Sequence, residues 1–408
     1  MPLEELRSLG LGSLEGRAEA VTGVQIDSRR VARGDLFVAL GAGTAFLEDA
    51  RGRGAAATLV PDDEHAAMAA LGRAVRARSD ARVVAITGSV GKTSTKDILA
   101  ALLRPSRRTV AAEEGYNNEI GLPLTLCRIE AETEVVVTEM AMRGPGQIRA
   151  LARVARPHLG VITAIAPVHL ELLGSVENIA GAKAELLEEL PHGAVAVLPE
   201  DAPALEPFVP DGLDVRRFAA PDAEVRDGRT HVRYGGREVV FSFAARHQAA
   251  NAAAALEVCA ALGVNPPEAT VEVTFSRWRS QERALPGGGL LVNDAWNANP
   301  VAVRAALANL RERAAGRRTV AVLGEMAELG SEGPGYHEEI GRELADLDLV
   351  VGVGELARYY RPHEWVASAA EARELVRELV RPGDAVLVKG SRSVGLEIVA
   401  DALVEAGR

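Results

Sequence analysis

Lysine occurs only four times in this 408-residue chain, at positions 92, 96, 183 and 389, against 42 arginines. A primary amine is a compact charge that can lose its proton and take up CO2, whereas a guanidinium stays charged. Three of the four sit where that difference matters. Lys92 closes a glycine-rich loop, Gly88-Ser89-Val90-Gly91-Lys92-Thr93-Ser94. Lys183 lies in Asn178-Ile-Ala-Gly-Ala-Lys183, downstream of an apolar strand and His169. Lys389 opens Lys389-Gly-Ser391-Arg at the end of another apolar strand.

The loop carries the firmest chemistry. Its glycines let the backbone wrap a phosphate, amides at the following helix start point at it, and Lys92 counters its charge. Thr93 is placed to ligate Mg2+. The spacing departs from the general phosphate-loop pattern, since position 86 is Ile and the first glycine is Gly88. Glu139 ends the strand Val135-Val-Val-Thr-Glu139, at the edge where α/β sheets bind ligands. A solvated strand-end carboxylate is the plain alternative. His169 follows a strand at the same edge, although a lone histidine is more often structural or solvated. Lys183 falls on a helix beginning near Ser175; a helical lysine is ordinarily solvated, and Glu188 is badly spaced to pair with it. Arg283 and Asp294 flank the first strand of a later block, where either could be an ordinary surface charge. Asn293-Asp294-Ala-Trp-Asn297-Ala-Asn299-Pro300 packs three asparagines and an aspartate around a tryptophan, and its plain reading is a capped helix with Pro300 as first residue.

The elements that would position these groups fall into three blocks. Residues 1–80 hold short strands and turns ending in an Ala/Arg helix. The second block, 81–282, opens on Arg82-Val-Val-Ala-Ile-Thr87, apolar throughout like a buried parallel strand. Further such strands recur at 134–139, 159–165 and 194–198 with helices between the first three, the alternation of a doubly wound α/β domain. Residues 223–243 predict a small antiparallel extension with a Gly235-Gly236 turn, and Ala249 to Ala261 a tightly packed helix. The third block, 283–408, repeats the strand–helix alternation.

Bulk properties narrow the class. A hydrophobic content of 48% supports true cores, and 4% aromatic residues make them aliphatic. The net charge of −11 argues against a nucleic-acid binder. Two distant cysteines suit a reducing compartment. Neither a signal peptide nor a membrane-spanning run is visible. The expectation is a soluble, cytoplasmic, multi-domain protein.

The combination resembles the Mur ligases of peptidoglycan precursor synthesis, and among them the branch that adds D-alanyl-D-alanine to UDP-N-acetylmuramoyl-tripeptide. The loop Ile86 to Thr95 is similar to the family's ATP loop. The more specific segments are Asn117-Asn-Glu-Ile-Gly-Leu-Pro123, Glu139-Met-Ala-Met-Arg-Gly144, His169 to Ser175, Asn293 to Pro300, Val322 to Gly330 and Lys389 to Arg392, in the family's order across most of residues 24–395. The resemblance implies an α/β fold of three domains: a small α/β N-terminal domain for the uridine nucleotide, a central phosphate-loop doubly wound sheet, and a C-terminal Rossmann-like domain closing over both. It gives the loop, Asn118, Asn251, Arg283 and Asp294 to ATP, with Arg283 against the γ-phosphate. Thr93, Glu139, His169 and Lys183 serve Mg2+, Lys183 as a carbamate formed with CO2. Asp27, Ser28 and Arg29 meet the UDP-sugar, and Asn297, Lys389 and Ser391 the substrates. Lys92, Glu139, His169 and Lys183 are the implied catalytic set of an ATP-dependent peptide ligase working as a monomer. Two departures stand out: the N-terminal domain lacks the family's Asp-Gly-His segment, and Trp296 replaces a usual Tyr. The competing readings are another amide ligase of the superfamily, opposed by the 117–123 and 323–330 segments, and a phosphate-loop nucleotide switch, which leaves Lys183 and the third block without a role.

Overall fold

Arg82-Val-Val-Ala-Ile-Thr87 is apolar on both faces because it lies in the middle of a sheet covered on both sides. The computed structural model describes residues 1–168 and 170–405. Its central sheet has the order Asp214–Phe218, Val195–Pro199, Leu159–Ile162, Arg82–Thr87, Val135–Glu139, Thr109–Ala111, every pair parallel. Alternate residues of each strand feed the two layers. Val84, Ile86 and Val137 pack under helices Lys92–Leu103 and Ala249–Ala261. Val83, Ala85 and Val136 pack under Gly121–Leu126, Gln147–Ala155 and Val176–Glu188. Five of the eight alanines of Ala249–Ala261 are buried, and their short side chains let this helix lie close against the phosphate-loop helix. Later strands add on opposite sides of Arg82–Thr87, so the loop after it opens at the point where strand order reverses.

The N-terminal unit is a four-stranded sheet, Gly12–Gly16, Ala57–Pro61, Asp35–Val38, Gly23–Gln25, joined to the central unit by a bidentate pair from Arg30 to Glu113. The expected extension forms as Ala223–Arg226, Arg229–Tyr234 and Arg237–Phe241. Both residues of its Gly235-Gly236 turn have positive φ, 56° and 77°, as a two-residue hairpin demands. The C-terminal sheet runs Gln281–Leu285, Gly289–Asp294, Ala385–Lys389, Thr319–Gly324, Leu349–Val353, Glu364–Val366, parallel except for its first strand. That edge strand crosses the boundary expected after residue 282, because Gln281 and Glu282 pair with Asn293 and Val292. Asn299 caps helix Pro300–Ala314 by accepting from Ala302 N.

The strand expected over 159–165 ends at Ile162. Beyond it the chain leaves the sheet to brace the phosphate loop: Thr163 Oγ1 donates to Val90 O, and Ser89 N to Ala164 O. Cys127 and Cys259 are buried and unpaired. No helix among the described residues is long and apolar enough to cross a membrane.

Candidate active site

Two glycines set the path of the loop. A Cβ on Gly88 (φ 144°) would meet the Thr163 hydroxyl at 2.0 Å, and one on Gly91 (φ 87°) the Asn251 side-chain oxygen at 2.2 Å. Helix Lys92–Leu103 starts directly after Gly91, so its free first-turn amides open onto the loop. Ser89 Oγ accepts from Ala166 N and donates to Ala166 O, both at 3.0 Å. Lys92 Nζ donates to Gly88 O at 2.6 Å. Burial lowers its pKa; Glu139 pulls it back up and Arg279 presses it down again.

Glu139 ends its strand beside the loop and is 4% exposed. Thr93 Oγ1 donates to Oε2 at 2.8 Å and Asn117 Nδ2 to Oε1 at 2.9 Å. Burial alone raises a carboxyl's pKa. Here the charges of Arg279 and Lys92, the Asn117 hydrogen bond and the charge of Lys96 outweigh it, and the group is held below its ordinary range. The solvated-carboxylate alternative is thereby replaced by a buried anion ringed with donors.

Lys183 is 2% exposed on the helix that Ser175 caps, and its solvated-face alternative falls as well. Glu188 bonds Arg149 instead. Lys183 makes no hydrogen bond or ion pair with a described residue. Burial drops its pKa well below the usual lysine range, and the nearby charge of Lys92 adds to the drop. His169 lies outside the described residues. Among the described residues no three of His, Cys, Asp and Glu gather as a metal cluster. Thr93 and Glu139 supply the hard oxygen donors at this edge, and oxygen is what Mg2+ prefers.

Above the loop a cleft of about 290 Å³ runs between the central and C-terminal units. The phosphate loop forms its floor. Its walls carry His247, Asn251, Arg279, Asp294, Asn297, Asn299 and Lys389, among others. Lys389 Nζ bonds Asp294 Oδ2 and donates to Asn297 O, while Asp294 Oδ1 accepts from Ser280 N at 3.0 Å. Asn251 Nδ2 donates to Gln248 Oε1 at 2.6 Å. Arg279 Nε, His247 Nδ1 and Asn299 Nδ2 are buried without a hydrogen-bond partner among the described residues, and all three line this cleft. Each such orphan costs about 1–3 kcal/mol in a finished fold. All three residues line the same cleft over the loop, and the residues present fit a nucleotide with its phosphates on the loop.

Several expected residues lie elsewhere. Arg283 is exposed on the edge strand, its guanidinium donating to Glu282 O. The edge strand runs antiparallel to Gly289–Asp294, so its beginning, not its middle, lies by Asp294 and the cleft. Arg279, just before the strand, is the arginine that faces the loop. The signal for it was Ser276-Arg-Trp-Arg279 read with the strand's direction. Asn118 Oδ1 accepts from Ile120 N at 3.2 Å and Gly121 N at 2.9 Å at the start of helix Gly121–Leu126, and it is Asn117 that reaches Glu139. Ser391 is buried, accepts from Ala327 N at 2.9 Å and so joins the 322–330 and 389–392 segments instead of facing the cleft. Asp27, Ser28 and Arg29 sit on the N-terminal unit, away from the cleft. Arg29 holds the Asp27 carboxyl at about 2 through a side-chain hydrogen bond, and Ser28 is buried.

Residues 86–259 match the Mur ligase middle domain, and residues 278–392 the Mur ligase, glutamate ligase domain. A UDP-N-acetylmuramoyl-tripeptide–D-alanyl-D-alanine ligase of Mycobacterium tuberculosis (strain ATCC 25618 / H37Rv) is 35% identical over 473 residues, spanning 94% of this chain and 92% of its own. The chain belongs to the Mur ligase family. It is a ligase of the MurF kind, with the fold of that group. MurF from Thermotoga maritima, solved in complex with ADP, superposes with a TM-score of 0.82 at 28% identity over 95% of this chain and 98% of that one. MurF from Acinetobacter baumannii gives 0.83 at 25% identity over 99% and 98%.

The placement of the two arginines has a direct consequence. Arg279→Ala should cut ligase turnover by roughly 100-fold or more, the scale of removing one donor from a developing charge. Arg283→Ala should stay within about twofold, as an exposed side chain away from the chemistry does. Steady-state rates of the two variants side by side check this, and the reverse ranking would refute the assignment.

Proposed function

We propose that this protein joins D-alanyl-D-alanine to UDP-N-acetylmuramoyl-tripeptide, converting ATP to ADP and phosphate, as a monomer in cytoplasmic peptidoglycan precursor synthesis. The observation that carries the reading is the set of polar side chains, contributed from both sides of the cleft, that line it above a phosphate loop. The names of the relatives supply the substrates.

In this reading the loop amides and Lys92 hold the β- and γ-phosphates, and Arg279 lies against the γ-phosphate. Asn251, His247 and Asp294 take the nucleoside end, and Asp27, Ser28 and Arg29 meet the uridine nucleotide on the N-terminal unit. The tripeptide's terminal carboxylate attacks the γ-phosphorus, the bond to ADP breaks, and an acyl phosphate forms. The dipeptide amine then attacks that carbonyl carbon, and phosphate leaves as the amide forms. Lys92 and Arg279 counter charge spread over the transferred phosphoryl oxygens. Closure of the C-terminal unit over the cleft keeps water from the acyl phosphate.

Thr93, Glu139, His169 and Lys183 would hold Mg2+, which when bound neutralises phosphate charge. A protonated lysine is a poor neighbour for a cation. Burial beside Lys92 favours the neutral amine of Lys183. That amine can attack CO2 and release a proton, leaving a carbamate whose oxygens suit the metal. Arginine cannot do this.

Phosphate release from ATP and Mg2+ should require both UDP-MurNAc-tripeptide and D-Ala-D-Ala, with a product heavier by one dipeptide on mass spectrometry. Release indifferent to both would point to a nucleotide switch. Lys183→Ala should lose roughly 10–100-fold in rate, the scale of a lost group in a metal's ligand shell, and recover partly with short-chain carboxylates. Wild-type rates in Lys183→Arg would rule out the carbamate.

A further inference from the structure

The fourth lysine, Lys96, is buried and pairs with its chain neighbour Asp97 at 2.8 Å, where both side chains are nearly shut off from water. A buried ion pair adds little net stability over an apolar pair, because desolvation offsets its attraction. What the pair holds is therefore more informative than its energy. Asp97 Oδ2 accepts from Ser276 N at 2.8 Å and from Ser276 Oγ at 3.0 Å. Lys96 Nζ also donates to Ala112 O at 2.9 Å, which fixes the amine that faces Asp97.

Ser276 lies 179 residues further along the chain and three residues before Arg279. Between it and the C-terminal sheet the backbone turns left-handed at Trp278 (φ 56°) and Ser280 (φ 48°), on either side of Arg279. Non-glycine residues keep that conformation only where their surroundings over-determine it. The far end of the segment is fixed by the C-terminal unit. Ser280 N donates to Asp294, Trp296 N donates to Trp278 O at 3.2 Å, the two indoles stack at 5.9 Å, and Arg392 lies over Trp278. The near end is fixed by Asp97. Asp97 belongs to helix Lys92–Leu103, the same helix that presents Lys92 and Thr93 to the phosphate site.

We infer that Asp97, held by Lys96, is a positioning residue for Arg279: by gripping Ser276 it locks the connector so that the guanidinium faces the phosphate loop in register with Lys92. The inference rests on the ligase reading of the cleft. It implies that Asp97 acts on turnover through Arg279 and not on capture of the dipeptide.

The test is a double-mutant cycle between Asp97→Asn and Arg279→Ala, read by phosphate release and product mass with saturating ATP, Mg2+ and tripeptide. Asp97→Asn alone should lower kcat roughly tenfold with KM for D-Ala-D-Ala within about twofold, and should cost nothing further once Arg279 is Ala, as coupled residues behave. Undiminished kcat in Asp97→Asn, or a loss that multiplies in full on the Arg279→Ala background, would overturn the inference. Should Asp97→Asn fail to fold, Ser276→Ala removes only one of the two bonds to Asp97. It should show a smaller loss, roughly threefold, that likewise vanishes without Arg279. Wild-type protein that makes no product at all would instead count against the ligase reading.

Discussion

One buried carboxylate surrounded by cations organises the reaction edge of this molecule. Glu139 sits where Arg279, Lys92 and Lys96 all reach it electrostatically, and Lys92 in turn presses on Lys183. Lys96 is paired with Asp97, which leaves Glu139 as the buried carboxylate that Lys92 and Arg279 share. Burial is the main reason that Lys92 and Lys183 both lose basicity, the charges of Arg279 and Lys92 respectively add to it, and Arg279 keeps a buried Nε with no hydrogen-bond partner among the described residues. A polyphosphate seated on the loop would restore the balance. The acidic overall surface, with its net charge of −11, does not compete, because Lys92, Arg279 and Lys389 line the cleft itself.

The fold keeps this charge cluster together by topology. Glu139 and the loop end adjacent parallel strands, so both arrive at one sheet edge. Helix Val176–Glu188 crosses the opposite face from helix Lys92–Leu103 and brings Lys183 to the same edge. The third unit contributes through Asp294 and Lys389, which end neighbouring strands and bond one another across the register. Two sheets thus face each other by their strand ends, and the single connector bearing Arg279 spans the gap.

Much of this was legible in the chain because each feature is local. The phosphate loop, the strand ending in Glu139, the Ser175 cap, the Gly235-Gly236 turn and Pro300 as first helical residue all follow from a few adjacent residues, and the structure has each of them. What escaped is set at long range. Strands Thr109–Ala111 and Glu364–Val366 are three residues long and exist only because a neighbour pairs with them. Gln281–Leu285 carries three charged or amide side chains in its first three residues and no apolar run. Missing it hid the direction of the chain past the cleft, and with it the fact that Arg279 and not Arg283 lines that cleft. Asn117 and Asn118 are likewise indistinguishable in sequence; only the turn into helix Gly121–Leu126 sends one to Glu139 and the other to the amides at the helix start.

The central claim is that this cleft transfers the γ-phosphoryl group to the tripeptide carboxylate before the amide bond forms. Tripeptide labelled with 18O in its terminal carboxylate tests it most directly, with the released phosphate weighed after turnover with ATP and D-Ala-D-Ala. The account predicts one 18O atom carried from carboxylate to phosphate in each turnover. Phosphate free of label, alongside normal amide formation, would contradict it.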